Sequence, residues 1–135
     1  MTLIAGYVAA LVAFAGVDMI WLSATVERFY RPAVGDLLAR TVNLPAAIAF
    51  YLIFPVGLTI FAVAPAVKVG AFGQAALYGG LFGLFAYATY DLTNQATLRA
   101  WSTQLTVIDV AWGFALSSFA ATIGYLAASR FSGPV

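Results

Sequence analysis

The sequence contains neither cysteine nor histidine. The first absence removes disulfides and thiolate nucleophiles; the two together remove ordinary zinc sites, imidazole bases and His-ligated haem. Charge is scarce as well, with six basic and five acidic residues making up 8% of the chain and a net charge of +1. That leaves no polybasic surface for DNA or RNA, so no nucleic-acid partner is expected. Any chemistry must come from carboxylates, hydroxyls, amides, Arg or Lys. No cofactor and no metal site are predicted, and no residue is singled out as catalytic.

What is abundant is apolar surface. Hydrophobic residues make up 64% of the chain and the mean hydropathy is +0.98, against about 45–50% apolar residues in a soluble domain. A transmembrane helix takes about 20 apolar residues, and four such runs fit within 135 residues: Leu3 to Leu22, Leu44 to Val67, Ala71 to Leu92 and Leu105 to Ala128. The expected fold is an all-α membrane protein, one domain over residues 1–135, with four transmembrane helices. Barrel strands would alternate in character over about ten residues, and these runs do not. The first run has no Lys or Arg between Met1 and Gly16 and passes through Asp18 and Trp21 without a small-residue cleavage site. It is therefore expected to be a retained span, not a signal peptide.

Between the first two runs, Thr25 to Asn43 holds Glu27, Arg28, Arg31, Asp36 and Arg40. Val26, Phe29, Tyr30, Ala33, Leu37 and Thr41 recur at spacings of three and four, which predicts an interfacial amphipathic helix interrupted near Pro32 and Gly35. A plain topological anchor explains the same charges. Pro55 falls in the middle of the second run, where it removes a donor and frees the Tyr51 carbonyl, so a kink is expected. Gly79 and Gly83 form a Gly-x-x-x-Gly, and Gly113, Ser117 and Ala121 repeat every four residues. Such strips let helices approach closely, either inside the chain or in a homodimer formed through the glycine faces.

Topology makes the carboxylates informative. Asp18 lies near the end of the first run, Asp91 near the end of the third and Asp109 just inside the start of the fourth, so in a four-span chain all three share one membrane face. The polar segments Glu27 to Arg40 and Asn94 to Gln104 share it too, bringing together four of the six basic residues and all five acidic ones. Charge inside hydrocarbon is costly and usually marks function or pairing. Each aspartate has helical neighbours on its own face: Trp21 at i+3 from Asp18, Trp112 at i+3 from Asp109, and Tyr87 and Asn94 on either side of Asp91. A structural ion-pair network with Arg28, Arg31, Arg40 and Arg99 would account for the same clustering. The repeated Asp-x-x-Trp, Asp18 to Trp21 and Asp109 to Trp112, hints at duplication of a two-helix unit, although Trp is favoured at membrane interfaces in any case.

The run Tyr90-Asp91-Leu92-Thr93-Asn94-Gln95-Ala96-Thr97-Leu98, followed by Trp101 and by Asp109-Val-Ala-Trp112-Gly113, resembles the small bacterial membrane proteins of domain of unknown function 2177. The resemblance covers essentially the whole chain. It implies a bacterial four-span protein of the inner membrane and marks Asp18, Trp21, Tyr90, Asp91, Thr93, Asn94, Thr97, Trp101, Asp109 and Trp112 as signature positions. It implies no activity.

Three functions remain in competition. In the first, Asp18, Trp21, Tyr87, Tyr90, Asp91, Asn94, Asp109 and Trp112, with Arg28, Arg31 and Arg99 near by, line a polar pocket that binds or transports a small amphiphile, a cation or a proton, since buried carboxylates can exchange a proton for a cation. In the second, two aspartates and Asn94 hold Mg²⁺ against a lipid phosphate in a membrane enzyme, with Arg28 or Arg31 on the head group. In the third, the chain is a structural or accessory subunit that packs against a larger membrane complex through its glycine faces; membrane lipid is an expected partner in every case. The first draws on both the clustered charge and the lack of known catalytic motifs. Within it Asp91 is the leading residue. Thr93 and Asn94 compete for backbone hydrogen bonds, so the third helix is expected to end or break there and open Asp91 to the cavity, with Arg99 as its partner if the role is structural. Counting Lys and Arg, four against two, predicts that the carboxylate face is cytoplasmic.

Overall fold

The computed structural model describes residues 1–132, all of whose regular elements are helical; the last three residues of the expected domain lie outside them. The elements are α1 (Thr2–Thr25), a π-helical turn (Val26–Tyr30), α2 (Arg31–Val34), a 3₁₀ turn (Gly35–Leu37), α3 (Leu44–Leu58), a second π-helical turn (Thr59–Val63), α4 (Ala64–Val69), α5 (Phe72–Thr97) and α6 (Thr103–Phe131). Three of the resulting rods are long and apolar enough to cross a membrane: Thr2–Leu37, Leu44–Val69 and Thr103–Phe131. At 26 residues α5 has the length of a span, but its glycines, tyrosines and threonines make it less apolar than the others.

The helix boundaries follow local chemistry. Asn43 caps α3, its side chain accepting from the Ala46 N–H at 3.3 Å, with Pro45 in the first turn; Ser102 caps α6 through the Leu105 N–H at 3.1 Å. Gly70, with φ +66°, closes α4 in the left-handed conformation and reverses the chain into α5. Each π-helical turn ends two residues before a proline, Tyr30 before Pro32 and Val63 before Pro65. A proline cannot donate to the preceding turn and its ring crowds that carbonyl, so a widened turn there takes up the mismatch without ending the rod. Pro55 sits inside α3, and the Thr59 hydroxyl donates to its carbonyl at 2.8 Å.

The polar segment after the first span is helical, as expected, and its helix type changes at Arg31 and Gly35; it continues α1 directly through the first π-helical turn, and only Leu38 to Asn43 leave the helix. Val34 is buried under it.

Thr2 Oγ1 donates to the Phe131 carbonyl at 3.1 Å, which ties the two terminal helices together at one end and makes α1 and α6 antiparallel. The core between them holds Phe14, Leu58, Val63, Leu116, Ala120, Ala121 and Ala128. Helices α5 and α6 form the most extensive pair. There the predicted small-residue strips meet inside the chain: Gly79 lies against Ala121 and the Ser117 carbonyl, and Gly83 against the Gly113 carbonyl and the Ser117 side chain. Gly6 and Gly124 play the same part between α1 and α6.

Candidate functional site

At the end of the bundle where α1 finishes and α6 begins lies a cavity of about 630 Å³, within the usual range for small-ligand sites. Asp18, Trp21 and Leu22 of α1 form one wall and Phe50 and Phe54 of α3 another. Ala86, Tyr87, Tyr90 and Asn94 come from α5, Leu98 and Trp101 from the connection that follows, and Asp109 and Trp112 from α6. Tyr30, Val34, Leu37 and Leu38 reach over it from the extension of α1. All three tryptophans of the chain line this one cavity.

Its polar groups are wired together. Asp18 accepts from Trp112 Nε1 at 3.0 Å and from the Tyr51 hydroxyl at 2.6 Å. Trp21 Nε1 donates to the Tyr30 oxygen at 3.1 Å, and the Tyr30 hydroxyl in turn donates to Asp109. The Trp21 and Trp112 rings are stacked, with centroids 4.2 Å apart and planes 11° from parallel. Each Asp-x-x-Trp thus serves the other: the second motif's Trp holds the first motif's Asp, and the first motif's Trp reaches the second's Asp through Tyr30. Because α1 and α6 run antiparallel, the motifs are related as an inverted pair. Tandem duplication of a two-helix unit would match the first span to the third and does not produce this relation.

A second polar cluster fastens the α5–α6 connection. Gln95 donates to Thr103 at 2.9 Å and accepts from Thr106 at 2.8 Å, while Trp101 Nε1 donates to Thr106 at 3.2 Å. Trp101 also meets the Tyr90 ring edge-on at 5.7 Å. The run Tyr90 to Asn94 with Trp101 therefore ends at the cavity rim.

A family model described as Predicted membrane protein (DUF2177) matches residues 3–126, which takes in both Asp-x-x-Trp motifs and the Tyr90 to Asn94 run. The chain belongs to the DUF2177 family. No curated protein and no solved structure matches it. The protein is thus a membrane protein of a family whose description states no activity.

Of the residues that sequence reasoning assigns to a site in this DUF2177 protein, Asp18, Trp21, Tyr87, Tyr90, Asn94, Asp109 and Trp112 line the cavity. Asp91 does not. It has no exposed surface and lies behind Asp109, against its carboxyl group. The break expected at Thr93 and Asn94 is absent, because the threonines bond to their own helix. The Thr89, Thr93 and Thr97 hydroxyls donate to carbonyls four residues back at 2.7, 2.5 and 2.8 Å, and α5 continues to Thr97.

The arginines do not join the aspartates either. Arg28, Arg31 and Arg99 are exposed and none lines the cavity. Among the described residues the one ion pair is Arg31 with Glu27, bidentate at 2.8 Å and one helical turn apart. Both groups face outward, where such bridges contribute little. The expected ion-pair network of Asp18, Asp91 and Asp109 with Arg28, Arg31, Arg40 and Arg99 is thus not found among the described residues. Sequence reasoning also missed Tyr30 and Tyr51, the hydroxyl donors to the two cavity aspartates. Tyr51 had one signal, as a polar-tipped ring within an otherwise apolar run.

Proposed function

We propose that the cavity binds a small amphiphile carrying a positive charge, as a binding or transport site in the bacterial inner membrane. The observation that carries this reading is the composition of the lining: two carboxylates, Asp18 and Asp109, among aromatic rings, and no Lys or Arg. Rings attract a cation through their negative faces, by about 2 kcal/mol or more where water is excluded. The stacked indoles and the Tyr87 and Phe54 rings offer such faces, and the carboxylates supply the counter-charge. A neutral ligand would leave that charge unanswered and an anion would oppose it.

The three cavity tryptophans provide a local probe. Tetraphenylphosphonium titrated into the detergent-solubilised protein should quench their fluorescence, and at a hundredfold excess over Kd it should stabilise the fold by about 2.7 kcal/mol. An uncharged aromatic of similar size should do neither. Equal responses to both, or a response to anionic amphiphiles alone, would refute the reading.

The same reading puts the cavity on the cytoplasmic side, because Arg28, Arg31, Arg40 and Arg99 flank it while Lys68 and Arg130 lie towards the other end. A reporter fused to the C-terminus should then be active only outside the cytoplasm. Cytoplasmic activity would reverse the orientation.

A further inference from the structure

Asp91 is the group that the cavity network leaves unexplained. Neither of its carboxyl oxygens has a hydrogen-bond partner, and neither is reached from outside. Burial of a charged carboxylate without donor or counter-charge is among the most unfavourable arrangements a protein can hold. The polar group it does face is another carboxyl, Asp109, which already accepts from Tyr30. Two carboxyl groups in contact are both acceptors only when ionised, and a single proton between them turns one into a donor.

Taking the cation-binding reading as its basis, we infer that Asp91 and Asp109 form a one-proton site that empties when a cation enters the cavity. With the proton in place Asp91 donates to Asp109 and the pair carries one negative charge. When a monovalent cation docks on the cavity side of Asp109, the proton leaves through the cavity to solvent, the pair carries two negative charges, and the cation restores the total to one. The net buried charge is the same before and after, so the attraction of the cation offsets the cost of ionising Asp91 beside Asp109.

The other titratable groups around the pair are Asp18 from α1, Tyr30 from its extension, and Tyr87 and Tyr90 from α5, with Tyr51 of α3 one step away on Asp18. Both Asp18 oxygens already hold donors. Tyrosines ordinarily ionise near pH 10 and stay neutral around pH 7. Asp91 and Asp109 are therefore the groups left to release a proton.

The infrared spectrum of the solubilised protein at neutral pH should contain the carbonyl stretch of a protonated carboxylic acid, absent from Asp91→Asn. Adding tetraphenylphosphonium to the wild type should bleach that band. Its affinity, read by tryptophan quenching, should rise about tenfold per pH unit while the pair holds its proton. In Asp91→Asn the amide donates to Asp109 permanently, so binding should weaken and lose its dependence on pH. If the acid band is missing from the wild type, the proton site is refuted whatever the cation does. Pronounced binding with the same affinity at every pH refutes the exchange and leaves the binding reading intact. A band present with no cation response refutes the binding reading and the exchange with it, and leaves the shared proton standing.

Discussion

Gly83→Ala is expected to destabilise the protein by about 3 kcal/mol, at the upper end of what overpacking by one methyl group costs. The added carbon would meet the Gly113 carbonyl oxygen and the Ser117 side chain well inside contact distance. Neither neighbour can move aside freely, since one is backbone of α6 and the other is short and fully buried. The two helices must part, and they form the largest contact in the fold. Gly16→Ala is the matched control, because nothing lies within 4 Å of the carbon it would add and the residue sits in the interior of α1. Ala is favoured over Gly in a helix by about 0.5–1 kcal/mol, so that variant should be slightly more stable than the wild type. Thermal unfolding of the two variants in one detergent checks both signs. Equal tolerance of the two substitutions would mean that α5 and α6 are not held by this close approach.

The same pair of helices shows which features the sequence carried openly. Small residues four apart announce a close approach whatever the partner, because the requirement is local to each strip. The partner is a matter of tertiary arrangement, and either an intramolecular or a dimeric pairing satisfied the pattern. The shared face of Asp18, Asp91 and Asp109 was legible for a similar reason: alternate span ends must fall on one side. Contact with the arginines on that side did not follow. Long exposed side chains reach the water with their charge, and Arg31 found Glu27 one turn away before any aspartate across the bundle.

Asp91 was misplaced by a propensity argument. Thr93 and Asn94 disfavour helix in isolation, but threonine hydroxyls that bond to carbonyls on their own helix leave it intact. Tyr30 and Tyr51 escaped notice because their partners are 79 and 33 residues away, and a tyrosine just past a span end, as Tyr30 is, reads first as an interface residue. The structure converts both into the donors that fix the two cavity carboxylates.

That wiring separates Asp18 from Asp91, two aspartates that look equivalent in the sequence. Asp18 is nearly buried and accepts one hydrogen bond on each oxygen, from Trp112 and from Tyr51. Hydrogen bonds to a charged group contribute about 1.5–3 kcal/mol each, and a donor left buried without an acceptor adds its own penalty. Asp18→Ala should therefore lower stability by about 3 kcal/mol or more and shift the tryptophan emission, because the Trp112 indole loses its acceptor beside the Trp21 stack. Asp18→Asn should cost about 1 kcal/mol, since one amide oxygen still serves Trp112 and the Tyr51 hydroxyl can turn to accept from the amide N–H. Asp91→Asn replaces the proton that Asp91 shares with Asp109 by an amide N–H donor in the same direction, so its melting temperature should equal or exceed that of the wild type. A double-mutant cycle of Asp18→Ala with Tyr51→Phe should give an interaction energy of at least about 1 kcal/mol, as expected for partners in one network. If Asp91→Asn instead melts below Asp18→Asn, Asp91 has a structural partner and the division of roles between the two aspartates fails.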